Sequence, residues 1–238
     1  MTLPASGAIS LANVNTEIGF DSDDHITLDD VGVRALFEVL SGTISLSDGH
    51  GKSASGTVTI PINSNTDDVW YRSYDGVFRT TGNYTVVGNV SGYGNYGAFR
   101  FNNVTIPQGA TIDTAYVTVR AYATDSGSTC NIKIYSEATD DSVTYSTAAD
   151  FMARSWYVTT VDWNNVSSWT ADEAYSTPSL VSIIQLIVNR AGWVSGNSMG
   201  MLFANNSSST NAARYITTVD GYPWGRTPPA TLYVAYTP

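Results

Sequence analysis

The residues that most constrain this chain are Ala115 to Tyr122, where the side chains alternate without a break. Ala115, Val117, Val119 and Ala121 share one face, and Tyr116, Thr118, Arg120 and Tyr122 share the other. A period of two describes a strand with one buried and one wet face. Just upstream, Phe99 and Phe101 also share a face before Asn102-Asn103 interrupts them. Val104 to Gly109 then turns the chain, with Pro107 fixing φ and Gly109 permitting a positive one. Residues 98–123 therefore read as strand, turn, strand. The same pattern recurs in most of the later segments, which predicts a mainly β fold, a two-sheet sandwich over residues 58–238.

The remaining segments fit that frame. Val58-Thr59-Ile60-Pro61-Ile62 opens as an edge strand, since Pro61 has no N–H to give a central ladder. Strands are expected at Asp67–Tyr71, Gly76–Arg79, Tyr84–Val87, Asn131–Tyr135, Gly200–Ala204, Arg214–Thr218 and Pro228–Tyr236. Ser91 to Gly97, SGYGNYG, reads as a loop rich in glycine and tyrosine. One helix interrupts the pattern near 180–191. Thr177 is its expected cap, Pro178 suits its first turn, and Gly192 is its expected end. Leu180, Ile183, Ile184 and Ile187 form its apolar stripe.

Residues 1–53 differ from the rest of the chain and predict a small α+β module. Ile9-Ser10-Leu11 recurs as Ile26-Thr27-Leu28 and as Ile44-Ser45-Leu46. Each copy is followed by a polar residue suited to capping: Asn13, Asp29 or Asp30, and Asp48. Helical stretches follow the first two copies, and Val33, Leu36, Phe37 and Leu40 fall on one stripe. Gly19 and Gly42 punctuate the expected helix ends. So thin a core calls for a partner surface. Residues 54–57 are small and read as a short linker.

Charge and composition narrow the partners. A net charge of -10 argues against nucleic acid and anionic membranes, both of which call for Lys and Arg. No apolar run approaches the roughly 20 residues that cross a bilayer. The opening residues show neither a basic nor an apolar export region, so no signal peptide is expected. Cys130 is the single cysteine, expected as a small buried residue rather than a nucleophile. The several Asn-x-Ser/Thr triplets reflect an Asn- and Thr-rich composition.

The run LPASGAISLANVNTEIGF…HITLDDVGVRALFEVLSGTISLSDGHGKS resembles a short N-terminal module of tailed-bacteriophage virion proteins, up to its closing Gly51-Lys52-Ser53. It departs from that pattern with Asn13 where Asp is usual, and with Gly49-His50 where an aromatic is usual. The resemblance implies attachment to a virion, with Leu11, Leu28, Val33, Leu36, Phe37 and Leu46 as candidate docking residues. A second resemblance covers most of residues 98–237. AFRFNNVTIPQGATIDTAYVTVRAY, VDWNN, the Leu180–Trp193 helix, MGMLFA and PPATLYVAYT share the order of DNRLRE-type jelly rolls of bacterial surface proteins. It implies a jelly-roll sandwich and glycan binding, and it carries no catalytic residues. Assembly in a host cytoplasm and residence in the virion are the corresponding expectations.

Catalytic constellations are missing from the sequence. His25 and His50 have no Cys or His at metal spacing, and no phosphate loop, HExxH or GxSxG occurs. Asp67-Asp68, Asp140-Asp141 and Asp172-Glu173 could serve a glycosidase, yet adjacent loop carboxylates are ordinarily solvated turns. With Asp220 they could equally hold a structural calcium, although no cofactor is predicted. Aromatics are the informative groups. Tyr74, Tyr93, Tyr96, Trp169, Tyr222 and Trp224 are expected outside the sheets as glycan-stacking candidates, while Trp163 and Trp193 suit a core or interface. A non-enzymatic tail, baseplate or fibre component that binds host-surface glycans is the leading expectation. A capsid decoration protein is the competitor and a glycan hydrolase the remote alternative. Repetition of sites in a virion predicts a homo-oligomer, with a trimer as first choice.

Overall fold

The computed structural model describes residues 3–52, 55–221 and 229–237. It divides into two compact units, Met1–Gly56 with Tyr236–Pro238, and Thr57–Ala235.

In the first unit the triplet repeat has a single structural meaning. Helices α1 (Leu11–Glu17) and α2 (Val31–Phe37) and a short 3-10 turn (Leu46–Gly49) come after its three copies. In every copy the backbone N–H of the Ser or Thr donates to the polar side chain three residues on. Ser10 bonds Asn13 at 2.9 Å, Thr27 bonds Asp30 at 2.7 Å, and Ser45 bonds Asp48 at 2.7 Å. This is the reciprocal half of a capping box. Asn13 and Asp48 therefore do not cap, contrary to the expectation from spacing; the N-caps are Ser10 and Ser45. Asp30 does occupy the N-cap of α2, but its carboxylate turns back to Thr27 instead of forward.

The repeat's apolar residues converge on one core. Leu3, Ile9, Val14, Val33, Leu36 and Phe37 are buried, with Ile26, Leu28, Ile44 and Leu46 packed around them. A Cβ on Gly49 would lie 2.5 Å from the Phe37 ring, so the chain passes there only as glycine. Leu40 leaves the predicted stripe. Helix α2 ends at Phe37, Glu38 turns left-handed at φ 59°, and Leu40 stands 80% exposed. Gly42 thus lies beyond the helix end, not at it.

The second unit is a two-sheet antiparallel sandwich of jelly-roll type. Its elements are β1 (Gly56–Pro61), β2 (Asp68–Arg72), β3 (Phe78–Arg79), β4 (Tyr84–Val90), β5 (Tyr93–Phe101), β6 (Thr111–Arg120) and β7 (Ile132–Glu137). Next come α3 (Ala148–Ala153), β8 (Trp156–Trp163), β9 (Ala174–Ser176), α4 (Val181–Val188), β10 (Met199–Asn205), β11 (Ala213–Thr217) and β12 (Thr231–Thr237). The smaller sheet runs β1-β12-β6-β9, which puts the Pro61 strand at an edge. The larger runs β11-β4-β5-β10-β7-β8, with β2 and β3 added along β5 where β4 leaves off. Gly56 and Thr57, expected in the linker, already belong to β1.

Between the sheets the alternating residues meet. Ala115, Val117, Val119 and Ala121 are all essentially inaccessible, as are Phe99, Phe101, Ile132, Ile134 and Phe203. Helix α4 packs its stripe of Leu180, Ile183, Ile184 and Ile187 against β6 of one sheet and β7 and β8 of the other. Its N-cap is Leu180, without a side-chain bond. Thr177 extends the sheet instead, its hydroxyl accepting from Val117 N at 3.1 Å. Gly192 also has another task. A Cβ there would sit 2.2 Å from the Asp140 carboxylate, which pairs with Arg190.

Three further expectations change. SGYGNYG is not a loop: Ser91 and Gly92, both at positive φ, make a tight hairpin turn, and Tyr93 to Gly97 runs on as β5. Tyr93 and Tyr96 are accordingly strand residues. The third is α3, capped by the Thr147 hydroxyl accepting from Asp150 N, a second helix in this unit that a six-residue run with no clear stripe did not announce.

Candidate functional site

The outer face of the larger sheet, turned away from the sandwich interior, carries a second core and a groove. Val69, Ala98 and Leu202 lie opposite one another across β2, β5 and β10, alternating with the interior residues. The segment between β7 and β8, including α3, crosses this face. Phe151 and Tyr145 from that segment bury themselves against Val69, Ala98, Leu202 and Ala204, with Tyr71, Phe78, Tyr96, Tyr135 and Trp156 around the margin.

Ion pairs pin the crossing segment. Arg154 donates through Nη1 to Glu137 at 3.1 Å and through Nη2 to Asp150 at 3.1 Å, with side chains of Arg154 and Glu137 4% and 8% exposed. Its guanidinium also lies over the Tyr145 ring, 4.1 Å from the centroid. Ser142 donates to Glu137 at 2.6 Å. Gly200 has no Cβ because one would meet the Glu137 carboxylate at 2.4 Å. Nearby, Asp67 accepts from Arg100, Asn102 and Thr144. Burial pushes the Tyr145 phenol well above its usual range, so it stays protonated.

One side of the crossing segment is left open. Tyr71, Ser73, Tyr96, Phe151, Met152, Arg154, Trp156 and Leu202 line a groove of about 400 Å³. The Tyr71 ring lies 6.2 Å from Tyr96 and 5.5 Å from Phe151. Beside the groove along the chain, Tyr74 and Tyr93 form a displayed pair. Their centroids are 4.0 Å apart at 31°, and they are 63% and 40% exposed. The β2–β3 turn that presents Tyr74 is braced by Arg72 pairing Asp75, and by Ser73 donating to the Gly94 carbonyl from both N and Oγ.

The expected glycan residues thus separate. Tyr74 and Tyr93 meet as a pair, Tyr96 lines the groove against Tyr71, and Tyr222 and Trp224 lie outside the described residues. Trp169 is a correction. It is 1% exposed, stacked on Tyr175 at 4.9 Å and bridged to Asp125 through its backbone, so no sugar reaches it. Trp193 is likewise buried, donating to the Ile106 carbonyl. Tyr71, Met152 and Trp156 were missed, because their meeting depends on a helix that covers one face of a sheet. One signal was present, Val69 and Tyr71 together on one face of β2.

The expected docking residues separate too. Val33, Leu36 and Phe37 are 0%, 6% and 2% exposed and form the module's own core, so they offer nothing to a partner. Leu28 and Leu46 pack against that core, and Leu11 is exposed. Among the described residues, the large apolar groups the module presents are Val31, Leu40, Phe20 and Leu11.

Several of the candidate acidic residues are engaged by other groups. Asp67 is occupied by Arg100, Asp140 by Arg190, and Asp141 by Ser198 N. Asp220 accepts from Gly82 N. Asp68 accepts from Val219 N at 2.6 Å, and burial, with a smaller contribution from Asp220 and Asp67, raises its carboxyl to about 8. Among the described residues no group of three or more His, Cys, Asp or Glu gathers in metal-binding geometry. Burial pushes the Cys130 thiol up, away from nucleophilic character. No described helix is long and apolar enough to cross a membrane.

No family model matches this chain, and no curated protein matches it. Among solved structures, a chain from Desmodium yellow mottle tymovirus matches with a TM-score of 0.26 and 6% identity, covering 78% of this chain and 89% of that one. A likeness of that degree carries no argument about fold or function.

Proposed function

We propose that this protein is a structural, non-enzymatic component of a bacteriophage particle, in the tail, baseplate or fibre. The N-terminal unit attaches it to other virion proteins, and the sandwich is displayed to bind host-surface glycans. The observation that carries the second half is the Tyr74–Tyr93 pair beside an aromatic groove. Surface aromatics displayed in this way stack well on the apolar faces of sugars. Attachment is supported by the module's resemblance and by Val31 and Leu40, 85% and 80% exposed on so small a unit. A homo-oligomer, first of all a trimer, completes the reading.

The test uses the full chain in two ways. Carrying Val31→Asp and Leu40→Asp together, it should fold normally and fail to enter particles. Wild-type protein should bind polysaccharide extracted from host cell surfaces, and Tyr74→Ala should weaken that binding. Normal incorporation of the double variant would remove the attachment assignment, and an absence of polysaccharide binding would remove the glycan assignment.

A further inference from the structure

We propose that Asp68 is a proton-operated latch: its neutral carboxyl keeps the turn at residues 218–221 shut against β2, and its ionisation releases that turn. The joint is built from two sets of bonds. On one side the turn holds the connection between β3 and β4. There the Thr218 hydroxyl donates to the Gly82 carbonyl and the Thr218 N–H to the Asn83 carbonyl, while Gly82 N donates back to Asp220. A Cβ on Gly221 would lie 2.4 Å from the Asn83 carbonyl, so the two segments touch. On the other side the Val219 N–H donates to the Asp68 carboxyl at 2.6 Å, which ties the turn to β2.

The shut joint suits a neutral carboxyl. Asp68 is 4% exposed, and no cation among the described residues pairs with it. Arg100, on the facing strand β5, is taken by Asp67, the Ser142 carbonyl and the Ser198 hydroxyl. From β4, Thr85 donates its hydroxyl to the Asp68 backbone carbonyl and leaves the carboxyl alone. The charged groups that act on Asp68 are both carboxylates, Asp220 on the turn and Asp67 beside it on the chain. An uncompensated charge in such a place is costly. Burial, and after it Asp220 and Asp67, accordingly raise the carboxyl to about 8.

Ionisation strains this joint and spares its surroundings. The ladder with β5 fixes β2 from Asp68 to Arg72, whereas the ladder of β11 with β4 ends at Thr217. Asp68 belongs to the fixed side and Asp220 to the turn, so two like charges then repel across the Val219 bond. The turn is the side that can yield. The Thr217 hydroxyl at its root is buried with no partner, a cost that opening to water removes. A carboxyl protonated in the shut state and ionised in the open one makes opening more favourable as pH rises. The effect reaches tenfold per pH unit between the ordinary value of 3.8 and about 8, and ends above that window.

The test follows amide exchange of the full chain from about pH 5 to pH 8, each rate divided by its intrinsic rate at that pH. Opening at Val219 and Gly82, whose N–H groups bond Asp68 and Asp220, should increase by up to about tenfold per pH unit. The Arg100 N–H, bonded to the Asp67 carbonyl, and the amide of Phe203 in mid-β10 should stay far better protected throughout. Asp68→Asn keeps an acceptor for Val219 N and cannot ionise, so opening at Val219 should no longer depend on pH. Carbon-13 NMR of the wild-type carboxyl adds a readout that needs no variant: Asp68 should titrate at about 8. Opening at Val219 that ignores pH, or that persists with the same pH dependence in Asp68→Asn, overturns the latch. So does a carboxyl that titrates in the ordinary range. Exchange that rises equally at Val219, Arg100 and Phe203 overturns it too, because the whole fold is then opening.

Discussion

The two faces of the larger sheet are built from the same strands and solve opposite problems. The inner face is dry. Phe99, Phe101, Phe203, Ile132 and Ile134 meet the smaller sheet and α4, and the Phe99 and Phe203 rings pack edge to face at 5.0 Å. The outer face buries its apolar residues only in part, beneath a crossing segment that ion pairs hold down, and it leaves aromatic rings beside open solvent. Where two sheets close on each other, apolar packing dominates. Where a short helix must be held at a fixed height above a sheet, leaving room beside it, directional pairs set the geometry.

The largest effect should come from the inner face. Phe203→Ala deletes a fully buried ring and should cost about 3–5 kcal/mol in denaturant unfolding. Arg154→Ala on the outer face leaves Glu137 buried without its cation. It should cost about 3 kcal/mol, the low end for a broken buried pair because Ser142 still donates to Glu137. The two losses should differ in kind: only the second should open the crossing segment to amide exchange before global unfolding. Equal protection in both variants would erase the distinction between the faces.

A buried carboxyl sharpens the comparison. Asp68 points inward from β2, and its pKa of about 8 lies above the ordinary value of 3.8. The folded state therefore binds a proton that the unfolded state has released between roughly pH 4 and pH 8. Stability conferred by the protonated carboxyl is complete below that window and is lost as pH rises through it, by up to ~1.4 kcal/mol per pH unit. Asp68→Asn keeps an acceptor for Val219 N and should flatten this part of the profile, making the variant the more stable protein at pH 8. A wild-type profile that rises from pH 5 to pH 8 would show that Asp68 is ionised in the fold.

Legibility in the sequence divides along the same line. Alternation at Ala115–Ala121 and the stripe of α4 found the interior, because one buried face imposes a period. The outer face has no such signature. Its cover comes from residues 138–155, whose helix is too short to show a stripe and is placed by Arg154 and Tyr145 rather than by periodicity. Tyr96 looked like a loop residue because glycine surrounds it. Two of those glycines serve the strand itself: a Cβ on Gly97 would strike Thr85 and Val87, and Gly92 completes the hairpin turn. Trp169 had loop neighbours yet was drawn inside, onto Tyr175. In the N-terminal unit the repeat was plain, but which member of each triplet capped the turn depended on the direction of one hydrogen bond.

The smallest expected change in stability belongs to the displayed pair. Tyr74→Ala removes a ring that is 63% exposed and should alter unfolding free energy by no more than about 0.5 kcal/mol. That variant also tests most directly whether the outer face is there to recognise sugars. Polysaccharide binding and thermal melting should be measured on the same sample of the full chain. The expected result is binding weakened by about tenfold, from on the order of 1–3 kcal/mol of lost ring contact, with an unchanged melting temperature. Undiminished binding together with a marked fall in melting temperature would contradict it, and would make the tyrosine pair a structural brace for the β2–β3 turn.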